Sequence, residues 1–175
     1  SVYTDLIRQH IAYDPDAGPL SYTGDGAGDF LYPQITADWL PFDAGKGLSY
    51  VTPPLTEDKV VAGFGHLDLW LQSTATDADL EVVISEIYPD GKEVWVQNGL
   101  LRAGNRTVDT ARSDGNFIEH FYDEGHHQPL PDDEFVNFQI PLYPVAHPFR
   151  AGSRLRVMVD TAGRATAVEH GGCAG

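Results

Sequence analysis

The polar residues most able to do chemistry in this sequence stand between positions 119 and 127. They are three histidines and three carboxylates, namely Glu119, His120, Asp123, Glu124, His126 and His127. Imidazole and carboxylate groups are ligands that zinc and other divalent metals take in proteins. The spacing is not that of two histidines one helical turn apart, and Gly125 and Pro129 disfavour a helix. We predict a solvated loop without a metal, and His120, His126 and His127 are the candidate ligands should one bind.

Two further groups of residues have the right types for a site. Asp77 and Asp79 precede a predicted strand, where their oxygens could bind calcium. Such residues more often close a turn by accepting hydrogen bonds from nearby backbone N–H groups, and we expect the turn. The closest approach to a Gly-x-Ser-x-Gly nucleophile turn is at Ser49, but the second glycine is missing and Pro53 and Pro54 forbid the helix that must follow. No catalytic residue and no cofactor site are predicted.

The three tryptophans of the chain suggest a second possible function, the binding of carbohydrate. Trp39, Trp70 and Trp95 are the tryptophans of the chain, and exposed aromatic rings can form a platform for sugars. All three lie in apolar stretches, so packing in a core or an interface is the expected role. An independent carbohydrate-binding module therefore remains the alternative function.

Composition excludes several partners. The chain has 175 residues and a formal net charge of -15, which repels phosphate backbones and anionic membrane surfaces. We predict no nucleic-acid and no membrane partner. No apolar run reaches the length of about 18 residues that suggests a membrane-spanning helix, and the N-terminus lacks the pattern of a secretion signal. The single Cys173 excludes an internal disulfide and favours a reducing, cytoplasmic location.

Strand patterns dominate from position 48 onward. Leu67, Leu69 and Leu71 alternate with other residues and predict one inward row. Pro89-Asp90-Gly91 predicts a hairpin turn between strands 79–88 and 93–97.

Two later segments also alternate. In 135–142 we expect Phe135, Phe138 and Ile140 to face inward. The segment 154–160 places one apolar row opposite a mostly polar row, the first being Leu155, Val157 and Val159 and the second Arg154, Arg156 and Asp160. Short strands between Gly- and Pro-rich turns predict an all-β fold, a jelly-roll β-sandwich over residues 48–175. The stretch 104–131 reads as a long functional or domain-contacting loop.

Residues 1–47 read as an irregular connector with room for one short helix. The connector holds Trp39, Leu40 and Phe42, too many large apolar side chains for a free linker. We predict that these three residues form an interface with a neighbouring domain, and that an isolated domain exposing them self-associates into a homo-oligomer.

Five segments together resemble a known family. They are Leu-Ser-Tyr-Val-Thr-Pro-Pro-Leu-Thr-Glu-Asp (48–58), Asp-Ala-Asp-Leu-Glu-Val-Val-Ile (77–84), Tyr-Pro-Asp-Gly (88–91), Gly-Leu-Leu-Arg-Ala (99–103) and Ala-His-Pro-Phe-Arg-Ala-Gly-Ser-Arg-Leu-Arg-Val (146–157). Their order and spacing resemble the C-terminal, galactose-binding-like β-sandwich domain of cocaine-esterase-like and X-Pro dipeptidyl-peptidase-like (CocE/NonD) serine hydrolases. The resemblance covers about three-quarters of the chain, and the family's final strand has no counterpart at the C-terminus, so we expect the domain to be truncated there.

The resemblance implies a non-catalytic role. Members of the family cleave esters, amides or X-Pro peptide bonds with a triad carried on an α/β-hydrolase domain, and none of its positions falls in this chain. The expected partner is therefore the α/β-hydrolase catalytic domain of the same protein, whose substrate cleft this domain would help to shape. The resemblance also implies that His147 is structural, in a loop that leads into a core strand.

Overall fold

The computed structural model describes residues 47–115 and 117–161. This part of the chain contains six strands and one 3₁₀ turn, Ala103–Asn105. The strands are β1 (Leu48–Val51), β2 (Lys59–Leu71), β3 (Asp79–Ile87), β4 (Glu93–Arg102), β5 (Val136–Phe149) and β6 (Arg154–Asp160). The predicted connector 1–47 and its interface residues Trp39, Leu40 and Phe42 lie outside the described residues, apart from position 47.

All strand pairs are antiparallel and form two sheets. One sheet has the order β1-β6-β3-β4, and the other is a two-stranded ribbon of β2 and β5. Side chains of the two sheets meet in one apolar core, which confirms the predicted all-β sandwich. The galactose-binding-like detail of that prediction remains a prediction.

The hairpin between β3 and β4 forms at the predicted Pro-Asp-Gly turn. The Tyr88 N–H donates to the Lys92 carbonyl at 2.8 Å, and the Lys92 N–H donates to Asp90 Oδ1 at 2.9 Å. Gly91 has a φ of 87°, a left-handed conformation that glycine adopts without a Cβ clash. The turn chemistry therefore fixes the register of the two strands.

The ribbon supplies the deepest part of the core. Phe138 and Ile140 of β5 are fully buried against Leu80 and Val82 of β3 and their neighbours. Leu67, Leu69 and Leu71 pack against this core as the alternation predicts, although each is only half-buried. Phe135 departs from the prediction, because it is exposed and precedes β5, whose inward row is Val136, Phe138 and Ile140.

Strand β6 corrects a second expectation. Val157 and Val159 of the predicted inward row join the core, whereas Leu155 is only half-buried, and Arg154 in the opposite row is exposed. The opposite row is not solvent-facing, however, because Met158 and Asp160 are buried. Antiparallel sheets commonly have one face on the core and one in solvent, so the burial of Met158 and Asp160 could not be predicted from the residue pattern of β6 alone.

Glycines determine the strand geometry at two places. A Cβ on Gly99 of β4 would overlap the carbonyl group of Pro141 in β5, so only glycine permits the observed contact between the sheets. The register of the ribbon also shifts between Gly63, whose φ is 122°, and Gly65. Such a bulge re-aims the side chains beside it. In the described part of the chain, no helix is long and apolar enough to cross a membrane.

Candidate functional site

The residues predicted from sequence are dispersed. Ser49 lies in the exposed edge strand β1, paired with Met158 of β6. After this strand, Thr52 Oγ1 accepts a hydrogen bond from the Leu155 N–H at 3.1 Å, so the chain continues along β6. A nucleophile turn requires a sharp strand-to-helix reversal. Ser49 therefore lacks the local structure that would activate it.

The three histidines have three different environments. His120 is buried, and its Nε2–H donates to the Gln139 carbonyl at 2.8 Å. His126 binds the Asp123 carboxylate through Nδ1 at 2.8 Å and stacks on the Phe121 ring with 3.8 Å between centroids. The Asp123 pKa is lowered chiefly by its hydrogen bond with His126.

His127 lies instead beside Asp77, with 3.6 Å between Nε2 and Oδ2. Across the described ranges, no group of three or more histidine, cysteine or acidic side chains is placed to hold a metal ion.

Asp77 forms a structural turn rather than a calcium site. Its Oδ1 accepts hydrogen bonds from the Ala78 N–H at 3.0 Å and the Gly104 N–H at 2.7 Å. Its Oδ2 is 3.1 Å from Arg102 Nε. Burial raises the pKa of Asp77, but these two N–H donors together with Arg102 and His127 outweigh burial and lower it. The ionised carboxylate thus holds the start of the loop 104–131.

Arg106 organises the rest of that loop. Its guanidinium donates to the carbonyls of Ala103, Gln128 and Pro129. The loop ends at Leu130, which is buried in the core and whose N–H donates to Thr76 at 2.7 Å. A Cβ on Gly104 would overlap the His127 ring. The loop is therefore fixed at both ends by directed contacts.

An aromatic groove is the most distinctive surface of the described structure. It is a shallow depression with a volume of about 180 Å³, lined by residues of β2, β4, β5 and the loop 117–122. We define the aromatic groove by Phe64, Phe117, Tyr122 and Tyr143. Phe64, Tyr122 and Tyr143 are 52%, 64% and 57% exposed. Large aromatic side chains this exposed, and grouped together, are typical of binding surfaces.

The groove follows from the strand geometry. Phe64 stands within the bulge between Gly63 and Gly65, and its ring contacts Phe117 edge-to-face with centroids 5.3 Å apart. The glycine at position 99 lets β5 approach β4, and Pro141 and Leu100 from these strands line the groove. The groove is therefore built on strands, with a single loop wall.

The groove is mildly acidic. Among the described lining residues, Glu119 is the only charged side chain. Partial burial, and then the proximity of Glu119 and Tyr143, raises the pKa of Tyr122. The groove therefore offers aromatic faces, phenol hydroxyls and one carboxylate, which suit an apolar partner that is neutral or basic.

A polar anchor fixes the far end of β5. Glu86 of β3 is fully buried, and its carboxylate accepts from the His147 Nε2–H at 2.7 Å and the Arg150 N–H at 2.9 Å. Burial raises the pKa of Glu86, but Arg150, His147 and Ser153 together lower it. Asp58 binds the same turn, accepting from Ala151 N–H at 2.8 Å. His147 lies in strand β5 rather than in the predicted loop, and its contact with Glu86 holds the end of that strand.

The ribbon carries a further exposed aromatic residue outside the aromatic groove. Trp70 is 65% exposed and pairs across the ribbon with Asn137. The Asn137 Nδ2 group donates to Asp68 Oδ1 at 2.7 Å. Trp95 is half-buried in β4. Of the three tryptophans, Trp39 lies outside the described residues, so Trp70 is the tryptophan with a ring shown free for stacking.

Sequence patterns missed the aromatic groove. Its residues come from positions 64, 117, 122 and 143, which the topology brings together. The available signals were Gly-Phe-Gly at 63–65, where glycines inside a strand suggest a bulge, and Tyr-Pro at 143–144.

The family described as the X-Pro dipeptidyl-peptidase C-terminal non-catalytic domain matches residues 34–169. A protein of Mycobacterium bovis named as a serine esterase is 25% identical over 116 residues, which cover 65% of this chain and 18% of that protein.

Solved structures agree with this assignment. A CocE/NonD family hydrolase of Staphylococcus aureus has a TM-score of 0.60 and 26% identity over 67% of this chain and 23% of that chain. An alpha-amino acid ester hydrolase has a TM-score of 0.54 and 25% identity over 68% of this chain and 18% of that chain. The chain therefore spans about a fifth of the length of these relatives. It belongs to the family of X-Pro dipeptidyl-peptidase C-terminal non-catalytic domains.

Proposed function

We propose that this chain is the C-terminal accessory domain of an α/β-hydrolase-type serine hydrolase, and that it packs on the catalytic domain and helps to shape its substrate cleft. The observation that carries the proposal is the family match over residues 34–169, a family described as non-catalytic. The relatives named as a serine esterase and as hydrolases support an ester, amide or X-Pro peptide bond as the substrate of the whole protein.

The local structure around Ser49 supports the same conclusion. The serine lies in the edge strand β1, and the described histidines His120, His126 and His147 bind Gln139, Asp123 and Glu86 respectively. A catalytic histidine must lie within hydrogen-bonding reach of its nucleophile. These three histidines instead bind other groups of the sandwich domain.

Activity measurements on two polypeptides test the proposal. The 175-residue chain should not hydrolyse p-nitrophenyl esters or X-Pro-p-nitroanilides above the buffer rate. The complete polypeptide that carries it should hydrolyse at least one of them. Ser49→Ala should leave the activity of the complete polypeptide unchanged. Turnover by the 175-residue chain that disappears in Ser49→Ala would show that the domain is itself an enzyme.

The proposed partner surface includes the connector residues Trp39, Leu40 and Phe42. Trp39→Ala in the complete polypeptide should lower activity or stability, whereas the same change in the 175-residue chain should abolish any concentration-dependent self-association. A clean monomer of the unmodified chain at high concentration, without binding of an apolar dye, would argue against this surface. A cytoplasmic location is part of the proposal, supported by the single cysteine, and cell fractionation tests it.

Carbohydrate binding is the second candidate function. It is favoured by Trp70, whose exposed ring lies beside the hydrogen-bonded pair of Asp68 and Asn137. An aromatic face with adjacent polar groups can bind a sugar ring. Calorimetric titration with a glycan panel tests this function. Saturable binding that is lost in Trp70→Ala and kept in Trp95→Ala would establish it, and absence of binding across the panel would remove it.

A further inference from the structure

We propose that the aromatic groove is the surface on which the catalytic domain of the same polypeptide seats, through an apolar segment that is neutral or basic. This inference rests on the proposed function and identifies the contact surface. It differs from the connector residues 39–42, because the groove lies on the sandwich itself, on β2, β4, β5 and the loop 117–122.

The exposure of the groove is the first step. Phe64, Tyr122 and Tyr143 remain more than half exposed while the core of the same domain is filled by other residues. Two of the three are tyrosines, which combine a broad apolar face with a hydroxyl and are enriched at interfaces between proteins. The aromatic rings of the groove are thus available for an external partner.

The rigidity of the groove is the second step. Phe64 is held in a strand bulge, and the Phe117 side of the groove is tied down because Asp114 Oδ1 accepts from the Phe117 N–H at 2.8 Å. Ser113 Oγ accepts from the Glu119 N–H at 2.9 Å. A surface held in one conformation loses little entropy on binding, which favours a permanent contact.

The choice of occupant is the third step. The chain covers 18% of the esterase and 23% of the CocE/NonD hydrolase that it matches, so most of each relative lies outside the matched region and is a candidate occupant of the groove. A second copy is disfavoured because it would join two chains of formal net charge -15 each. A domain of the same polypeptide is held at a high effective concentration. Unlike a second copy, it need not carry the strong negative charge of this chain.

Site-specific photo-crosslinking in the complete polypeptide tests the surface. Phe64 and, in a second variant, Tyr143 are replaced by p-benzoylphenylalanine, and Trp70, which is also more than half exposed on the same ribbon, is replaced in a matched control. We expect intramolecular cross-links from positions 64 and 143 to residues outside the 175-residue chain, several-fold more abundant than from position 70. Mass spectrometry of the digested product identifies the attachment sites.

Other outcomes overturn the inference in distinguishable ways. Cross-links between two polypeptides from positions 64 and 143 identify a second copy as the occupant. Cross-links from position 70, with none from 64 or 143, keep the accessory function but place the contact elsewhere. Absence of intramolecular cross-links from all three positions and from Phe42→p-benzoylphenylalanine removes both the groove contact and the proposed packing on a catalytic domain.

A charge substitution supplies an independent readout. Phe64→Arg in the complete polypeptide should split or broaden its calorimetric unfolding transition, because the contact between the two domains weakens. Trp70→Arg, with the same change of charge, should leave the transition as it is. Equal effects of the two substitutions would contradict the inference.

Discussion

The two halves of the ribbon β2–β5 are stabilised in different ways. The core half comprises residues 65–71 and 136–142, and its side chains Phe138 and Ile140 are fully buried between the sheets. The open half comprises 59–64 and 143–149, and there Val60 and Phe64 are exposed. One continuous pair of strands therefore belongs to the core at one end and presents apolar side chains to solvent at the other.

The difference shows how a domain can keep an apolar surface exposed and still fold. In the core half, non-directional burial of side chains fixes the strands. In the open half, Glu86 binds the His147 ring and the Arg150 N–H, and Phe149 is buried at the strand end. Because these contacts fix the end of β5, we expect the side chains near the bulge to contribute little to the stability of the fold.

Truncation in the core half should have the largest effect. Phe138→Ala removes a fully buried ring, and such changes cost about 3–5 kcal/mol, a large part of a typical total of about 5–15 kcal/mol. Urea denaturation of the 175-residue chain measures it. Leu69→Ala, at a half-buried position of the same half, should cost less. If Leu69→Ala were the more damaging change, our assignment of the core centre would be wrong.

Loss of the anchor in the open half should come second. Glu86→Gln keeps the shape but removes the charge that accepts from His147 and Arg150, and hydrogen bonds to charged groups contribute about 1.5–3 kcal/mol. The matched control is Glu57→Gln, whose exposed carboxylate pairs with Lys59. Exposed pairs of this kind contribute about 0–1 kcal/mol. Similar losses in both variants would show that burial of Glu86 has no energetic consequence.

The pH dependence of unfolding sharpens this result. The pKa of Glu86 is lowered in the folded protein, so its stabilisation is complete above the unfolded value of about 4.3 and is lost as the pH falls through the lower folded value. The stability deficit of Glu86→Gln should therefore be largest above about pH 5 and shrink in acid. Denaturant titrations at a series of pH values measure it, and a deficit that is constant with pH would contradict the charge argument.

Glu81, on the same strand, should behave in the opposite way. Burial raises the pKa of Glu81 despite a hydrogen bond from Asn98 at 3.1 Å. The folded state therefore favours the protonated acid, and this contribution is present below about pH 4.3 and lost as the pH rises through the folded value. Glu81→Gln should gain stability relative to the unmodified chain as the pH rises, in the same denaturant titrations. A loss of stability near neutral pH would show that the ionised carboxylate is favoured after all.

A methyl group added at the contact between the sheets should lower the free energy of unfolding by about 1–3 kcal/mol, the usual cost of overpacking. Gly99→Ala places a methyl group against the Pro141 carbonyl, so β5 must move away from β4 and the groove must widen. Gly115→Ala is the control, because a Cβ at that position meets open space. Thermal unfolding compares the two variants. Equal melting temperatures would show that the strands approach less closely than the structure indicates.

Much of the core half could be predicted from sequence because its pattern is local. The alternation of Leu67, Leu69 and Leu71 and the turn at Pro89-Asp90-Gly91 each fall within one element, and both are confirmed. The anchor could not be predicted in the same way, since Glu86 and His147 are 61 residues apart and meet only through the topology. The inward position predicted for Phe135 was wrong because the alternation in this segment starts at Val136.

The aromatic groove escaped prediction for a related reason. Four exposed aromatic residues from separate elements give no periodic signal, and the bulge at Gly63–Gly65 changes which side chains are neighbours. For the predicted metal candidates, closeness in sequence did not indicate a shared site. His120, His126 and His127 are close in sequence, yet each binds a different partner in the structure.

Substitution in the open half should have the smallest effect on stability. It tests most directly whether the two halves of the ribbon differ. Phe64→Ala in the 175-residue chain should change stability by less than about 1 kcal/mol, because its ring is more than half exposed and contacts mainly Phe117. The same phenylalanine-to-alanine change at position 138 provides the matched reference in the same denaturation experiment. A loss of several kcal/mol at position 64 would mean that the open half is part of the core. A small loss, combined with a clear effect in the complete polypeptide, would separate the residues that fold the domain from those that connect it.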